Sequence, residues 1–396
     1  MDRIYSDSLK LHYKLKGKLE IRSKSPLSSN RLLALNYTPG VAQACREIFA
    51  HPKKVFDLTI KDNTVAIVTD GSRVLGLGNI GALAALPVME GKAMIFKEFA
   101  GINAFPICIK SQDLETIVET VRQIAPVFGA INLEDIEAPK CFEVLRQLQD
   151  LGIPVIHDDQ HGTAVVVLAA LINAAKVVKK PFRELSVVVN GAGAAGTAIA
   201  KLLLCIGVGK KVSGPVKSVI VVDSKGIIFS GRDGLNAQKA GLAEFTNLQK
   251  LKGGLADAIV GADVFIGVSH PNVLSKEMVA LMAKGAIVFA LANPEPEISP
   301  KEALLGGAAV VGTGRSDYPN QINNAVAFPG IFKGVLMVRA SQVNPQMLVA
   351  AAHAIASVVK NPSKNNFIPA AFHKGVVKKI AFAVGAAAIE SGVTGR

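Results

Sequence analysis

The sequence contains no tryptophan, only 5% aromatic residues and only four cysteines among its 396 residues. The cysteines are far apart, which argues against a disulfide framework or a zinc knuckle and indicates a reducing compartment. The amino-terminal segment has no apolar core of a signal peptide, and its acidic residues argue against a transit peptide. We therefore expect a cytoplasmic protein.

Long apolar runs and concentrated charge are also missing. The longest apolar stretch, roughly Ala164 to Ile172, is too short to span a bilayer, so we expect no membrane partner. The net charge is +13, but the lysines are scattered and form no patch with interleaved aromatic residues, so we expect no nucleic-acid partner. A basic chain also attracts anionic small molecules such as dinucleotides and dicarboxylates, and we favour that explanation.

Strand-like and helix-like segments alternate through the first part of the chain. Nearly continuous apolar strands in this pattern predict a parallel sheet that is covered on both faces. The predicted helices are 113–126 and 139–152, and the predicted strands are VAIVTDG (65–71), AMIFKEF (93–99), FPICI (105–109), GAINLED (129–135) and IPVIHDD (153–159).

A second alternating set follows and ends in a helical, Ala/Val-rich tail. We predict a helix over 163–178 and strands over 185–190, 217–223, 262–269, 286–294 and 308–314. The predicted fold class is α/β, with an amino-terminal parallel-sheet domain (1–157), a Rossmann-like doubly wound domain (158–323) and a tail (324–396) that packs back on the first domain.

A glycine-rich loop follows the predicted strand 185–190 and precedes a helix. It consists of Gly191, Ala192, Gly193, Ala194, Ala195 and Gly196. In such a loop the first two glycines permit a tight turn and close approach to a pyrophosphate, and the third lets helix and strand pack closely. The strand–turn–helix context favours dinucleotide binding over the alternative, a merely tight turn.

The acidic residue expected to bind the ribose is Asp223, at the end of the strand 217–223. It lies farther along the chain than usual, and a longer loop over 207–218 accounts for the delay. Asp223 alone favours NAD, whereas the adjacent Ser224 and Lys225 could suit the 2′-phosphate of NADP. The cofactor preference stays open.

A second glycine motif, GLGNIG (76–81), does not follow a strand directly, and no acidic residue ends the next predicted strand. A loop facing the active cleft is a better interpretation than a second dinucleotide site. Arg73, just before it, could pair with a carboxylate through its two-pronged guanidinium, although a plain surface charge fits the spacing equally well.

Two pairs of carboxylates end predicted strands: Glu134 with Asp135, and Asp158 with Asp159. Ligands of open parallel sheets bind outside the carboxyl ends of the strands, so two neighbouring strands would bring four acidic groups together. Oxygen ligands indicate a hard cation, Mg²⁺ or Mn²⁺. The alternative is that the acids only cap helices. Because His157 and His161 straddle a turn, a supporting or capping role suits them better than zinc binding.

Several polar residues stand alone in the sequence, and each by itself also fits ordinary turn chemistry. Tyr37 lies in the turn NYTPG, and Lys92 follows Glu90-Gly91 just before a predicted strand. Asn293 lies in LANPEPE at a strand end, and Asn324 precedes AVAFPG.

These pieces, in this order, resemble the malic enzymes, specifically the compact form found in bacteria and some protists. The ordered set is far more specific than any one motif and covers residues 37 to 330. It consists of YTPGVA (37–42), TDGSRVLGLGNIG (69–81), EGKAMIFKEFAGI (90–102), LEDI (133–136), HDDQHGTA (157–164), NGAGAAG (190–196), ANPEPEI (292–298) and NNAVAFPG (323–330).

The resemblance implies oxidative decarboxylation of L-malate to pyruvate and CO₂ with reduction of NAD⁺ or NADP⁺. It makes Lys92 the base that takes the 2-hydroxyl proton, and Tyr37 the acid that protonates C3 of the enolate. Asp158 would lie beside Lys92 and tune it. A lysine acts as a base near neutral pH only if burial or nearby cations lower its pKa.

The resemblance also implies the binding groups and the assembly. Glu134, Asp135 and Asp159 would hold Mg²⁺ or Mn²⁺, which acts as an electron sink at the C2 oxygen. The substrate carboxylates and adjacent groups would contact Arg73, Asn293 and Asn324, and Asn293 would also touch the cofactor. A homodimer is implied, with the first 36 residues contributing to the interface.

Two other functions stay open at this point. One is a malolactic-type decarboxylase that uses bound NAD without net turnover. The other is a catalytically silent relative that binds nucleotide and partners for regulation. The presence of Tyr37, Lys92 and the three acidic ligands argues against the silent protein.

Overall fold

The computed structural model describes residues 2–74, 76–208 and 214–395, so part of the predicted loop 207–218 lies outside the described residues. Helices dominate its first sixty residues, and none of the residues in the second and third helices is buried. These helices are α1 (Asp2–Leu15), α2 (Asn30–Asn36), α3 (Val41–Ala50) and the short α4 (Val55–Leu58).

The first sheet has four parallel strands in the order β2-β1-β3-β4. Its elements are β1 (Thr64–Thr69), α5 (Gly81–Ala100), β2 (Asn103–Cys108), α6 (Leu114–Ile124), β3 (Ala130–Leu133), α7 (Lys140–Gln147) and β4 (Val155–His157). Leu133 pairs with His157 in the register of β3 and β4. The residues that follow these two strands therefore begin side by side at one edge of the sheet.

The strand predicted over 93–99 is wrong, because this segment lies inside the 20-residue helix α5. Gly91 and the internal Pro87 make this segment look unlike a helix in the sequence. Its apolar residues do not show helical spacing either, because α5 is covered on several sides. It contacts β1 and β2 of the sheet and the tail helix α14 (Phe328–Met337). A helix that is apolar nearly all round cannot be told from a buried strand by periodicity. Lys92 therefore lies within a helix and not before a strand.

The second sheet has six strands in the order β10-β9-β8-β5-β6-β7, parallel except for β7. Its elements are α8 (Asp158–Val178), β5 (Ser186–Asn190), α9 (Ala194–Leu203), β6 (Ser218–Asp223), β7 (Gly226–Ile227), α10 (Ala237–Ala243), α11 (Leu255–Ala258), β8 (Val264–Gly267), α12 (Lys276–Ala280), β9 (Ile287–Ala290), α13 (Pro300–Leu305) and β10 (Val310–Thr313). The chain order reverses between β5 and β8, which places a ligand crevice at their carboxyl ends. The predicted α/β class is confirmed.

The tail contains α14 (Phe328–Met337), α15 (Pro345–Ala356) and α16 (Val376–Glu390). It contacts both sheet-containing regions. The rings of Phe328 and Phe332 pack on Phe96 of α5, with centroids 4.8 and 5.0 Å away, while α15 packs on α8. The division of the chain at residues 157/158 and 323/324 stays a prediction.

Helix α8 is longer than the apolar stretch predicted within it. By length and composition it could cross a membrane, but 67% of its apolar window is buried inside the protein. Its apolar residues belong to the same core as those of β5, α9 and α15. That pattern is typical of a core helix. The cytoplasmic location stays a prediction.

Candidate active site

Lys92 lies at the centre of a buried ionic network. It projects from α5 and is 8% exposed. Its Nζ donates a hydrogen bond of 2.7 Å to Glu134 Oε1 and a shorter one to Asp158 Oδ2. The same ammonium lies 4.2 Å from the ring centroid of Phe328, a tail residue that covers one side of the site. An amine so enclosed exchanges protons only with groups placed beside it.

The charges around Lys92 and its burial shift its pKa in opposite directions. Burial lowers the pKa of Lys92, but the carboxylates of Asp158 and Glu134 outweigh it and hold the pKa above its ordinary value. Burial raises the pKa of Asp158 to about 7 despite the neighbouring ammonium. The protein groups alone therefore do not give Lys92 the lowered pKa that a lysine base requires.

Three carboxylates converge beside this network. Glu134, Asp135 and Asp159 each offer an oxygen, and the three oxygens lie within 4.8 Å of one another. Asp135 has φ of +53°, and its backbone N–H donates to Asp159 Oδ2 at 3.0 Å. Burial raises the pKa of Glu134 and of Asp159. Oxygen ligands whose charges repel in a poorly hydrated place fit a hard divalent cation.

The two histidines near the cluster have supporting positions, His157 buried and His161 partly buried. His157 precedes α8, is fully buried, and its Nδ1 lies 3.8 Å from Asp159 Oδ2. The backbone N–H of His157 donates to His161 Nδ1 at 3.3 Å. Burial lowers the pKa of both imidazoles to about 4, so both are neutral at physiological pH.

Another buried carboxylate, that of Asp70, organises the loop that carries Arg73. Asp70 Oδ1 accepts from the backbone N–H of Ser72 at 3.0 Å and from its hydroxyl at 2.6 Å, while Lys140 Nζ donates to Asp70 Oδ2. The Ser72 hydroxyl accepts from the backbone N–H of Glu137 at 2.8 Å. Further along, the N–H of Arg73 donates to the carbonyl of Asp135 at 3.1 Å. The loop is thus fastened to the segment that holds the carboxylates.

Both predicted asparagines lie beside active-site loops. A Cβ on Gly162 would lie 1.9 Å from Asp158 Oδ1 and 3.2 Å from Asn324 Cβ, so Asn324 packs next to Asp158 across this glycine. A Cβ on Gly76 would lie 2.9 Å from the carbonyl oxygen of Asn293. The GLGNIG loop therefore faces the loop that follows β9.

The structure does not bring Tyr37 to Lys92. Its side chain is 65% exposed, and it ends α2, a helix without buried residues. Within the described residues, no hydrogen bond or ring contact joins Tyr37 to Lys92 or to the carboxylates.

The GAGAAG loop has the close approaches expected of a dinucleotide site. Gly191 has φ of +123°, and a Cβ there would lie 2.7 Å from the carbonyl oxygen of Val268. A Cβ on Gly196 would lie 1.8 Å from the carbonyl oxygen of Gly191, so only glycine permits this packing of α9 on β5. A Cβ on Gly193 would meet open space beside the first turn of α9. That opening fits a pyrophosphate at the helix N-terminus.

The carboxylate of Asp223 already accepts hydrogen bonds from basic side chains of the same chain. Arg232 donates to both of its oxygens, at 3.0 and 2.6 Å, and Lys239 Nζ donates to Oδ2 at 2.7 Å. The backbone N–H of Lys225 donates to Oδ1 at 2.9 Å. Burial alone would raise the pKa of Asp223, but these hydrogen bonds outweigh it and lower the pKa to about 2.

Two family models match the chain. The N-terminal domain of malic enzyme matches residues 16–149, and the NAD binding domain of malic enzyme matches residues 160–389. The chain belongs to the malic enzyme family. The second match includes most of the helical tail. The predicted family and nucleotide cofactor are confirmed, and the chain is an enzyme of this family.

Individual malic enzymes are similar over nearly the whole chain. The bifunctional malic/malolactic enzyme of Bacillus subtilis is 53% identical over 98% of this chain and 93% of its own length. The NAD-dependent malic enzyme of Geobacillus stearothermophilus is 52% identical, over 95% of this chain and 78% of its own. The crystal structure of the NAD-dependent malic enzyme from Thermotoga maritima superposes with a TM-score of 0.90 at 48% identity, covering 95% and 98% of the two chains.

Sequence reasoning missed the residues that hold the malic enzyme site in shape. Asn132 is fully buried in β3 and donates to Glu134 Oε2 at 2.8 Å. The sequence feature that could have indicated Asn132 is a polar residue in an otherwise apolar strand. Asp70 and Lys140 are far apart in sequence, so only the fold shows them as a pair. Phe328 lies in a quoted motif, but its contact with Lys92 had no sequence signal.

Proposed function

We propose that this malic enzyme catalyses the divalent-metal-dependent oxidative decarboxylation of L-malate to pyruvate and CO₂, with reduction of NAD⁺ or NADP⁺. One observation carries the proposal. A buried lysine is held between two carboxylates, directly beside three convergent carboxylate oxygens. This combination supplies a proton acceptor and a cation site for one 2-hydroxy acid.

Lys92 is the proposed base for the 2-hydroxyl proton as hydride leaves C2 for the nicotinamide. A divalent cation held by Glu134, Asp135 and Asp159 would polarise the C2 oxygen, and its positive charge would lower the pKa of Lys92. Asp158 accepts a hydrogen bond from Lys92 and so fixes the amine's direction. Its fully buried carboxyl is also placed to share the proton.

Tyr37 is the proposed acid that protonates C3 after CO₂ departs. The proton that it delivers replaces the one taken from the 2-hydroxyl, so the reaction releases no net proton. Arg73, Asn293 and Asn324 are proposed to bind the substrate carboxylates and neighbouring groups, with Asn293 also touching the cofactor. The electrostatic effect of Arg73 on Asp159 and the packing of Asn324 beside Asp158 support these roles.

The proposal is tested by initial rates with L-malate, comparing Mn²⁺ with EDTA and wild type with Lys92→Ala. We expect NAD(P)H and pyruvate to form with Mn²⁺ and not in EDTA. Lys92→Ala should lower kcat by about 10² to 10⁴, the range for loss of a general base. Lys97→Ala, on the same helix but exposed, is the matched control and should keep wild-type activity. Full activity in EDTA, or in Lys92→Ala, would contradict the proposal.

The name of the Bacillus subtilis relative favours a second candidate, conversion of malate to lactate and CO₂ on tightly bound NAD. The same protein residues would serve, because the hydride taken from C2 would return to the keto group after decarboxylation. Product analysis separates the two reactions. Lactate without accumulation of NAD(P)H identifies the malolactic reaction, whereas pyruvate with stoichiometric NAD(P)H identifies the oxidative one.

We further propose that the enzyme is a homodimer whose amino-terminal region forms part of the interface. Large apolar side chains are exposed throughout this region, including Ile21, Leu35 and Phe49, the last at 92%. An apolar surface of this extent is typical of an association surface. A second copy would also cover the exposed Tyr37.

A further inference from the structure

A cavity of about 350 Å³ lies at the end of α8 remote from the carboxylate cluster. It is enclosed by the second half of α8, the segment that leads into β5, the end of α9, and α15. Asp158 begins α8 and Ala175 lines the cavity, so the two lie about 25 Å apart along the helix at 1.5 Å per residue. The GAGAAG loop follows the other end of β5. The cavity is therefore separate from the proposed substrate and nucleotide sites.

The floor of this cavity is apolar and mostly buried. It is built mainly from Leu168 and Ile172 of α8, Leu202 and Leu203 of α9, and Val349 of α15. All except Ile172 are buried and belong to the main hydrophobic core. A floor of this kind stabilises a ligand by removing its apolar surface from water.

The polar lining is basic. Among the described residues no carboxylate lines the cavity, whereas Lys176, Lys180, Arg183 and His353 do. Lys180 Nζ is committed to Asp263 Oδ1 at 2.5 Å. Among residues 2–74, 76–208 and 214–395, the one hydrogen bond of Lys176 Nζ goes to the amide oxygen of Asn173, at 3.2 Å, and two of its protons are not used by these residues. In the part of the chain that the structure describes, the Arg183 guanidinium donates no hydrogen bond.

We propose that this cavity binds a small amphipathic anion, a carboxylate with a medium-length apolar body. The apolar body occupies the cavity, and the carboxylate is held at the solvent-exposed mouth by Lys176 and Arg183. The volume is at the lower end of the range for small-molecule sites, about 300 to 1,000 Å³. A dinucleotide is too large and too polar for this cavity, which favours a medium-chain fatty carboxylate.

The test is calorimetric titration of the full-length protein with octanoate, 1-octanol and acetate. Octanol keeps the apolar body without the charge, and acetate keeps the charge without the body. We expect octanoate to bind one site per chain, and each of the other two to bind at least about tenfold more weakly, because each lacks one half of the interaction.

A double variant separates specific contacts from general attraction. Lys176→Gln with Arg183→Gln should weaken octanoate binding by about tenfold. The matched control, Lys378→Gln with Lys379→Gln, makes the same change in net charge at a different groove and should leave binding unchanged. Equal weakening in both double variants would overturn the proposal. Equal binding of octanol and octanoate, or no saturable octanoate binding, would also overturn it.

A third variant tests occupancy of the cavity itself. Ala175 lines the cavity from α8 and is 3% exposed, so Ala175→Leu fills part of the volume. Octanoate binding should be lost while the rate of NAD(P)H formation from malate stays within about twofold of wild type, since the site is remote from the reacting groups. Retained octanoate binding in a folded Ala175→Leu protein would contradict the proposed location. Because the readout is binding, failure here leaves the proposed catalytic function untouched.

Discussion

At the scale of single residues, the molecule concentrates unlike charges where water is scarce. Lys92 balances Glu134 and Asp158 across buried contacts, and Lys140 balances Asp70 across a partly buried one. Breaking such a pair leaves an uncompensated buried charge, which costs more than the pair itself contributes. These pairs therefore act mainly on geometry, since each fixes the direction of a loop or an amine that the reaction requires.

Asp70→Asn should impair the enzyme indirectly, by changing the positions of residues that Asp70 does not contact. The amide keeps the shape but loses the charge that holds Lys140, so the loop bearing Arg73 and its link to Asp135 should loosen. We expect the KM for malate and the Kd for Mn²⁺ to rise about tenfold, the usual lower bound for residues that orient ligands. The measurements are steady-state kinetics and Mn²⁺ titration followed by EPR.

The control for this variant is Asp113→Asn, because Asp113 caps α6 at the surface and asparagine caps equally well. It should match wild type in both constants. A large fall in kcat with unchanged KM and Mn²⁺ affinity would show that Asp70 acts in another way.

The environment of Asp223 predicts a preference for NADP⁺. Its carboxylate is taken up by Arg232 and Lys239, so it has little capacity left for a ribose hydroxyl, whereas the surplus of positive charge suits a 2′-phosphate. We expect kcat/KM to favour NADP⁺. Arg232→Gln should reduce the preference at least about tenfold, a loss of about 1.4 kcal/mol.

Binding of 2′-phospho-ADP-ribose and ADP-ribose, measured by calorimetry, gives the same comparison without turnover. Arg183→Gln, a change of the same type at the end of the sheet opposite to Asp223, should leave the preference as in wild type. An NAD⁺-preferring wild-type enzyme would refute this interpretation of Asp223.

At the scale of elements, the pattern of strands was largely predictable, and helices buried on several sides were not. The parallel strands β1 to β4 each overlap a predicted segment, and β3 and β4 lie wholly inside theirs, whereas the strand predicted over 93–99 is wrong. Helix α6 was recognisable because one face meets water and the other meets the sheet. Helix α5 lacks that contrast, so its sequence carried no helical period to detect.

The contact between α8 and the tail gives an element-scale prediction. Asn173 is fully buried in α8, and its Nδ2 donates to the carbonyls of Ala356 and Phe367 at 2.9 and 3.0 Å. Asn173→Leu leaves two buried acceptors unpaired, so the free energy of unfolding should fall by about 2 to 4 kcal/mol. Urea unfolding measures the change.

Gln123→Leu, on α6, removes only a side-chain hydrogen bond to Glu119 at the surface and is the matched control. It should change stability by less than about 0.5 kcal/mol. An equal loss in the two variants would mean that the buried amide does not hold the tail on α8.

At the scale of the whole molecule, one catalytic candidate lies outside the buried site. Tyr37 is exposed, whereas Lys92 is enclosed. A proton donor must lie within hydrogen-bonding reach of the atom that it protonates, directly or through one water. The proposed homodimer reconciles these facts if the amino-terminal region of one copy covers the cleft of the other.

Subunit mixing tests this arrangement. Tyr37→Phe and Lys92→Ala proteins should each be nearly inactive alone. An equimolar mixture should regain up to about one quarter of wild-type activity, because about half of the dimers are heterodimers and one of the two sites in each is intact. Light scattering should give the mass of a dimer. Tyr13→Phe, an exposed tyrosine in α1, is the control and should be fully active. A fully active monomer would contradict both the dimer and the shared site.

The family, the α/β class and the candidate chemical groups can be recognised from the sequence, because ordered motifs and alternating apolar runs are local properties of the chain. How those groups meet depends on the tertiary structure. The bonds of Lys92 to Glu134 and Asp158, and of Lys140 to Asp70, join residues 42 to 70 positions apart. Charge balance, burial and the occupation of Asp223 depend on such distant partners, and no local pattern specifies them.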